Sequence, residues 1–93
     1  MRNAMAVKPN KFGRYPCPCC AFYTFREEPV GEYSICTVCY WEDDPIQRAD
    51  PTYEGGANAL SLYQAQQYFR DSGSADPNCL AYARKPNREE LPD

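Results

Sequence analysis

Histidine is absent from this 93-residue sequence. That removes the commonest general base and the Cys–His pair of thiol nucleophiles. Any zinc site must therefore be built from cysteine, with carboxylate as the other donor. No stretch approaches the roughly 20 apolar residues of a membrane-spanning helix, so no membrane association is expected. Neither GxGxxG nor a GxxxxGK phosphate loop occurs, which leaves nucleotide chemistry without a signature. The first 15 residues hold Arg2, Lys8, Lys11 and Arg14 but no apolar core of a secretory signal. The expected compartment is the cytoplasm, where thiols stay reduced.

What is present in quantity is cysteine. The stretch "GRYPCPCCAFYTF" holds Cys17, Cys19 and Cys20, and "SICTVCYWEDD" holds Cys36 and Cys39. Counted as pairs, the pattern is Cys17-x2-Cys20, fifteen intervening residues, then Cys36-x2-Cys39. This is the short end of the zinc-ribbon spacing. Two cysteines separated by two residues wrap one tight turn, so both sulfurs face one side. Two such knuckles supply the four thiolates of a tetrahedral, structural Zn²⁺ site. Iron is also possible with four thiolates. A redox pair fits less well, because such pairs open a helix beside a βαβ pattern. A disulfide framework fits less well in a reducing compartment. Cys19, inside the first knuckle, reads as a bystander, and Cys79 reads as an ordinary core cysteine.

A chain this short buries a limited core and gains from a metal staple. Aromatic "FYTF" at 22–25 and "YSIC" at 33–36 flank the turn signals Pro29 and Gly31. They predict one β-hairpin, with the first knuckle entering it and the second leaving it. The segment from Glu42 to Gly56 reads as an irregular acidic loop. "ALSLYQAQQYFRDSG" is the one helix, with Ser61 and Gln64 as a capping box, Leu62, Ala65 and Phe69 on one face, and Gly73 as its stop. The fold class is thus a small α+β metal-stabilised domain: a zinc-ribbon-like hairpin with two CxxC knuckles plus one C-terminal amphipathic helix. Its expected divisions are a flexible basic arm at 1–14, the domain at 15–86, and a polar tail at 87–93.

From Tyr15 to about Pro86 the chain resembles the bacterial cysteine-rich CPCC family. The residues that carry the resemblance are "YPCPCC", "EEPVGEYSICTVCYWEDDPIQ", "DPTYEGGANALSLYQAQQYF" and "YARKP". The resemblance implies that Cys17, Cys20, Cys36 and Cys39 are the metal ligands. It matches Trp41, Glu42, Asp43 and Asp44 to an acidic signature, and Gly55, Gly56 and Asn58 to the turn before the helix. Two departures stand out: Ala21 where glycine is usual after the first knuckle, and Thr37 where proline is frequent inside the second. Ala21 is strained wherever φ must be positive. The family carries no established activity, and the implied role is an immunity or accessory protein.

The net charge is −3, which disfavours general nucleic-acid binding and suits a basic protein partner. In "YWEDD", Trp41 with Glu42, Asp43 and Asp44 reads either as an exposed patch for a cationic partner or as a structural cap over the metal end. Enzymatic activity is not expected, since four protein ligands leave no open metal position. The expected function is a zinc-stabilised protein-binding module, most specifically an inhibitor or immunity protein against a bacterial toxin with a basic surface. The alternative is a nucleic-acid-binding zinc ribbon, supported by the ribbon pattern and the basic arm.

Overall fold

Two short loops, each closed on itself by a single antiparallel bridge, face one another across a cluster of sulfur atoms in the computed structural model, which describes residues 7–93. In the first loop Tyr15 pairs with Phe25, and in the second Ile35 pairs with Glu42. Each loop carries one knuckle at its tip. The Cys17 N–H donates to Phe22 O at 2.8 Å and the Ala21 N–H to Cys17 O at 2.8 Å. The second loop repeats this: Cys36 N–H to Trp41 O at 2.9 Å and Tyr40 N–H to Cys36 O at 2.9 Å.

The expected hairpin between the knuckles is therefore corrected. No β-strand forms among the described residues, and segments 22–25 and 33–36 do not pair with each other. The physical reason is local. A knuckle reverses the chain within a few residues, so the nearest backbone partner is the chain's own continuation, and closing that short loop costs little entropy. Between the two segments, Gly31 and Tyr33 both take positive φ, at 86° and 63°, which breaks any extended run. Gly31 also lies against Pro45, whose Cβ would be 2.4 Å from an added Cβ.

Two helices complete the frame. α1 spans Pro45–Ala49 and α2 spans Leu62–Ser72. α1 lies inside the segment expected to be irregular. Its start has a recognised signature: Asp44 as N-cap followed by Pro45 at the first helical position. Asp44 Oδ1 accepts from the N–H groups of Ile46 and Gln47 at 2.8 and 3.2 Å. α2 matches its expectation. The Ser61 Oγ accepts from the Gln64 N–H, and Gln64 Oε1 accepts from the Ser61 N–H. Gly73, at φ 85°, ends the helix and returns its N–H to Phe69 O. Leu62 and Ala65 are buried, and Phe69 packs edge-on against Phe22 at 6.2 Å between ring centroids. Burying Leu62 alone contributes roughly 2 kcal/mol.

The core is small: the five clustered cysteines with Phe25, Val38, Trp41, Leu62, Ala65 and Ala75. The remaining cohesion is polar and buried. Gln47 is fully enclosed on α1. Its Nε2 donates to Leu60 O at 3.1 Å, and its Oε1 accepts from the N–H and Nδ2 of Asn58. Asn58 in turn clasps the Glu42 backbone, accepting from its N–H at 2.8 Å and donating to its C=O at 2.7 Å. Gly56 fits because a Cβ there would lie 2.6 Å from Gln47 Cδ and 2.7 Å from Asp44 Oδ2.

The arm expected over 1–14 is described only from residue 7, and residues 1–6 lie outside the described residues. Within the described part Asn10 is buried, and its Nδ2 donates to Glu89 O and Leu91 O at 2.8 and 3.0 Å. Arg14 pairs with Glu89 at 2.9 Å. Tail residue Glu90 is also buried, and Arg84 donates to both of its carboxylate oxygens. Among the described residues no helix is long and apolar enough to cross a membrane.

Candidate metal centre

The four paired cysteines converge. Cys17, Cys20, Cys36 and Cys39 are all buried, with their sulfurs within 4.8 Å of one another. Two contacts cross from one knuckle to the other: Cys17 to Cys39 and Cys20 to Cys36, both at 3.7 Å. A tetrahedral metal with ~2.3 Å bonds to sulfur sets neighbouring sulfurs about 3.8 Å apart. A disulfide needs ~2 Å, and all six cysteines are free. The donor set and its spacing therefore fit one tetrahedrally bound metal ion.

Hydrogen-bond donors are aimed at three of these four sulfurs. Cys36 Sγ accepts from the N–H groups of Val38 and Cys39, both at 3.4 Å, and from the Thr24 hydroxyl at 3.2 Å. Cys39 Sγ accepts from the Trp41 N–H at 3.4 Å, and Cys17 Sγ from the Cys19 N–H at 3.3 Å. Donors aimed at sulfur favour thiolate and orient it for a metal. The neighbouring thiols, led by Cys17, and Thr24 hold Cys36 far below the usual thiol range. Burial, followed by Cys20 and Cys36, pushes Cys17 up against the opposing effect of Cys39, while Cys17 and the other thiols push Cys39 up. Four buried sulfurs cannot all carry charge without a cation among them. A divalent metal removes that conflict and releases protons as it binds.

The other expected residues fall elsewhere. Cys19 is buried but outside the four-sulfur set, and it contributes its N–H to Cys17. Cys79 is also outside the set, closing a 3₁₀ turn at Pro77–Cys79. Burial and the Asp76 charge push its thiol up.

The acidic signature is corrected as a docking patch. Trp41 has no exposure at all, and Asp43 and Asp44 are 1% and 5% exposed. Trp41 belongs to the same buried core as the sulfurs, its backbone donating to Cys39 Sγ and accepting from Cys36. Asp43 Oδ2 accepts from the Gly31 N–H at 2.7 Å, and its Oδ1 faces Arg48 Nε at 3.3 Å. Asp44 caps α1 and accepts from the Ala57 N–H at 2.9 Å. That Ala57 bond holds the Asp44 carboxyl below its ordinary value, against burial and with help from Gln47 and Ile46. The reason for the correction is that a loop wrapped over a metal end has many free N–H groups, and short carboxylates satisfy them. Only Glu42 of the four keeps partial exposure.

Several supporting residues were not legible in the sequence. Thr24 reaches from the exit of the first loop to a sulfur of the second. Glu90 accepts from the Thr37 hydroxyl at 3.2 Å, which ties the tail to the second knuckle. Thr37, a departure from the family pattern, is therefore put to use here. The 3.6-residue spacing from Leu62 offered a helix face, but nothing in the local sequence marked Thr24 or Glu90.

Against known proteins, residues 15–90 match the family model described as cysteine-rich CPCC. The chain is also similar to an adenylate kinase of Methanosarcina acetivorans, 33% identical over 66 residues. That similarity covers 66% of this chain, which spans 30% of the kinase's length.

Proposed function

From the premise that this chain belongs to the cysteine-rich CPCC family, we propose that it is a zinc-binding domain whose metal is structural and whose work is to bind another protein. The carrying observation is the closed set of four buried sulfurs at tetrahedral spacing. Four protein ligands supply folding energy and leave no coordination position for substrate or catalytic water. Zinc is the metal this donor set suits best in a site without redox partners. The function is non-catalytic, and the partner is a protein with a basic surface, such as a bacterial toxin that this chain inhibits. Support comes from the net charge of −3 and from Ile35, Tyr40 and Tyr82, which stand exposed on a small domain.

Adenylate kinase activity is not carried over from the similar protein. The shared segment is a minor part of that enzyme, and the present sequence has no phosphate loop. Nucleic-acid binding gains no specific observation from the fold.

Native mass spectrometry with and without chelator is the test for the metal. One zinc per chain, with the fold lost on chelation, is the expected result. An apo mass with intact structure would overturn it. For the partner, affinity capture with immobilised zinc-loaded protein is expected to recover one basic protein stoichiometrically and salt-sensitively. Recovery of nucleic acid instead would move the function to the ribbon alternative.

A further inference from the structure

With Trp41, Asp43 and Asp44 buried, a protein-binding surface has to lie elsewhere. A cavity of about 440 Å³ opens beside the second knuckle, lined among others by Ile35, Tyr40, Glu42, Asp76, Cys79 and Tyr82. We propose that this groove, an aromatic pair beside the unpaired Glu42 carboxylate with the buried Asp76 behind it, receives an arginine- or lysine-bearing extended segment of a partner protein. The proposal rests on the protein-binding function above and supplies its surface.

Three observations carry it. First, the lining holds Glu42 and Asp76 and no lysine or arginine. The Glu42 carboxylate takes part in no hydrogen bond or ion pair among the described residues, since Asn58 engages only its backbone. Asp76 uses Oδ1 to cap the Pro77–Cys79 turn, accepting from Asn78 and Cys79 N–H groups. A cation entering here meets uncompensated negative charge. Second, Tyr40 and Tyr82 lie with ring centroids 5.8 Å apart and are 36% and 64% exposed. Open tyrosine faces attract guanidinium and ammonium groups. Ile35, 52% exposed at the same rim, gives an apolar neighbour side chain somewhere to rest.

Third, Tyr40 sits at φ 70°, the position matched in the other knuckle by Ala21 at φ 69°. The turn itself is thus satisfied by a small residue. A side chain held at positive φ is strained there. The Tyr40 ring lies against Tyr82, and the residue still leaves 36% of its surface open. Its one described ring neighbour, Tyr82, is itself mostly exposed. The arrangement makes sense as display of an aromatic face.

The test is an amide chemical-shift titration of zinc-loaded protein with an acetylated, amidated hexapeptide carrying arginines among leucine and glycine. Shifts centred on Tyr40, Glu42, Ala57, Ala59 and Tyr82, weakening as salt rises, are expected. Tyr82→Ala should weaken binding about 5-fold and Glu42→Gln about 3-fold, with the rest of each spectrum unchanged. The groove is overturned by an absence of shifts, by shifts centred on Glu27, Glu28 and Glu32, or by full affinity in both variants. Equal binding of N-acetylarginine amide alone would make this a small-cation site and overturn the peptide reading. A protein partner that binds wild type and both variants alike would overturn the groove but leave the protein-binding function standing. Groove binding of the peptide with no protein partner captured would do the reverse.

Discussion

The two knuckles share a backbone and differ in what surrounds their sulfurs. Both make the same pair of closing hydrogen bonds, and both end in a residue of positive φ, Ala21 or Tyr40. Yet the sulfurs of the first accept one N–H, to Cys17, while those of the second accept three N–H groups and the Thr24 hydroxyl. The second knuckle is also the better enclosed. Cys36 and Cys39 have no exposure, against 2% for Cys17 and 8% for Cys20. Its neighbours are tied in further by Glu90, Arg84 and Ala75, which bond to Thr37, Val38 and Cys39. The first knuckle receives one such tie, from Gln66 Nε2 to Pro18 O at 2.9 Å. One motif used twice therefore gives a more heavily tied half and a lighter half, because more of the chain beyond the knuckles bonds to the second than to the first.

The largest expected effect separates the halves directly. Cys36→Ser should abolish metal binding and folding, since it removes a ligand and puts a shorter, smaller oxygen where three donors converge on sulfur. Cys20→Ser should still fold when zinc is in excess, with affinity at least about 100-fold weaker. Zinc titration followed by circular dichroism reads both, and equal collapse would erase the distinction.

Next in size, Glu90→Ala should cost about 2–3 kcal/mol, because it leaves Arg84 and Thr37 without their buried acceptor. The counterpart on the lighter half, Gln66→Ala, should cost about 1 kcal/mol or less. Urea unfolding of the zinc-loaded proteins measures the gap. The Glu90 effect should also depend on pH. Burial pushes the Glu90 carboxyl up, but hydrogen bonds from Arg84 and Asn87 more than reverse this and hold it below its ordinary value. A group lowered in the folded state stabilises above its unfolded pKa and loses that contribution as pH falls through the folded one. The difference between wild type and Glu90→Gln should therefore be complete at neutral pH and shrink below about pH 4.

A smaller effect is expected at Thr24→Val, which removes one donor to Cys36 and keeps the shape. Zinc affinity should fall about 10-fold with little loss of secondary structure. Competition with a chromogenic chelator measures it, and unchanged affinity would mean that the hydroxyl only fills space.

Smallest is Ala21→Gly, which should stabilise by about 0.5–1 kcal/mol by relieving positive φ at a solvent-exposed position. Tyr40→Gly should gain less, because it also removes the contact with Tyr82. Thermal unfolding of the pair shows whether the two turns are equally strained.

Read by itself, the sequence reached the four cysteines that cluster, the helix α2 with its capping box, and the strain at Ala21. Each of these is set within a few residues: a two-residue spacing between sulfurs, a Ser–Gln box, a side chain where glycine suits the turn. It also carried the Asp44–Pro45 start of α1, which the charge of the surrounding loop obscured. What it could not carry was pairing between distant segments. Whether "FYTF" joins "YSIC" or folds back across its own knuckle depends on competing loop closures, and the tertiary structure chose the local ones. Burial of the acidic signature was likewise decided in three dimensions. Asp43 and Asp44 read either as surface charge or as a cap, and the fold decides for the cap by bringing the N–H groups of Gly31, Ala57 and the first turn of α1 onto their oxygens. Thr24 and Glu90 became supports of the metal end for the same reason, since the fold brings them to partners 12 and 53 residues away.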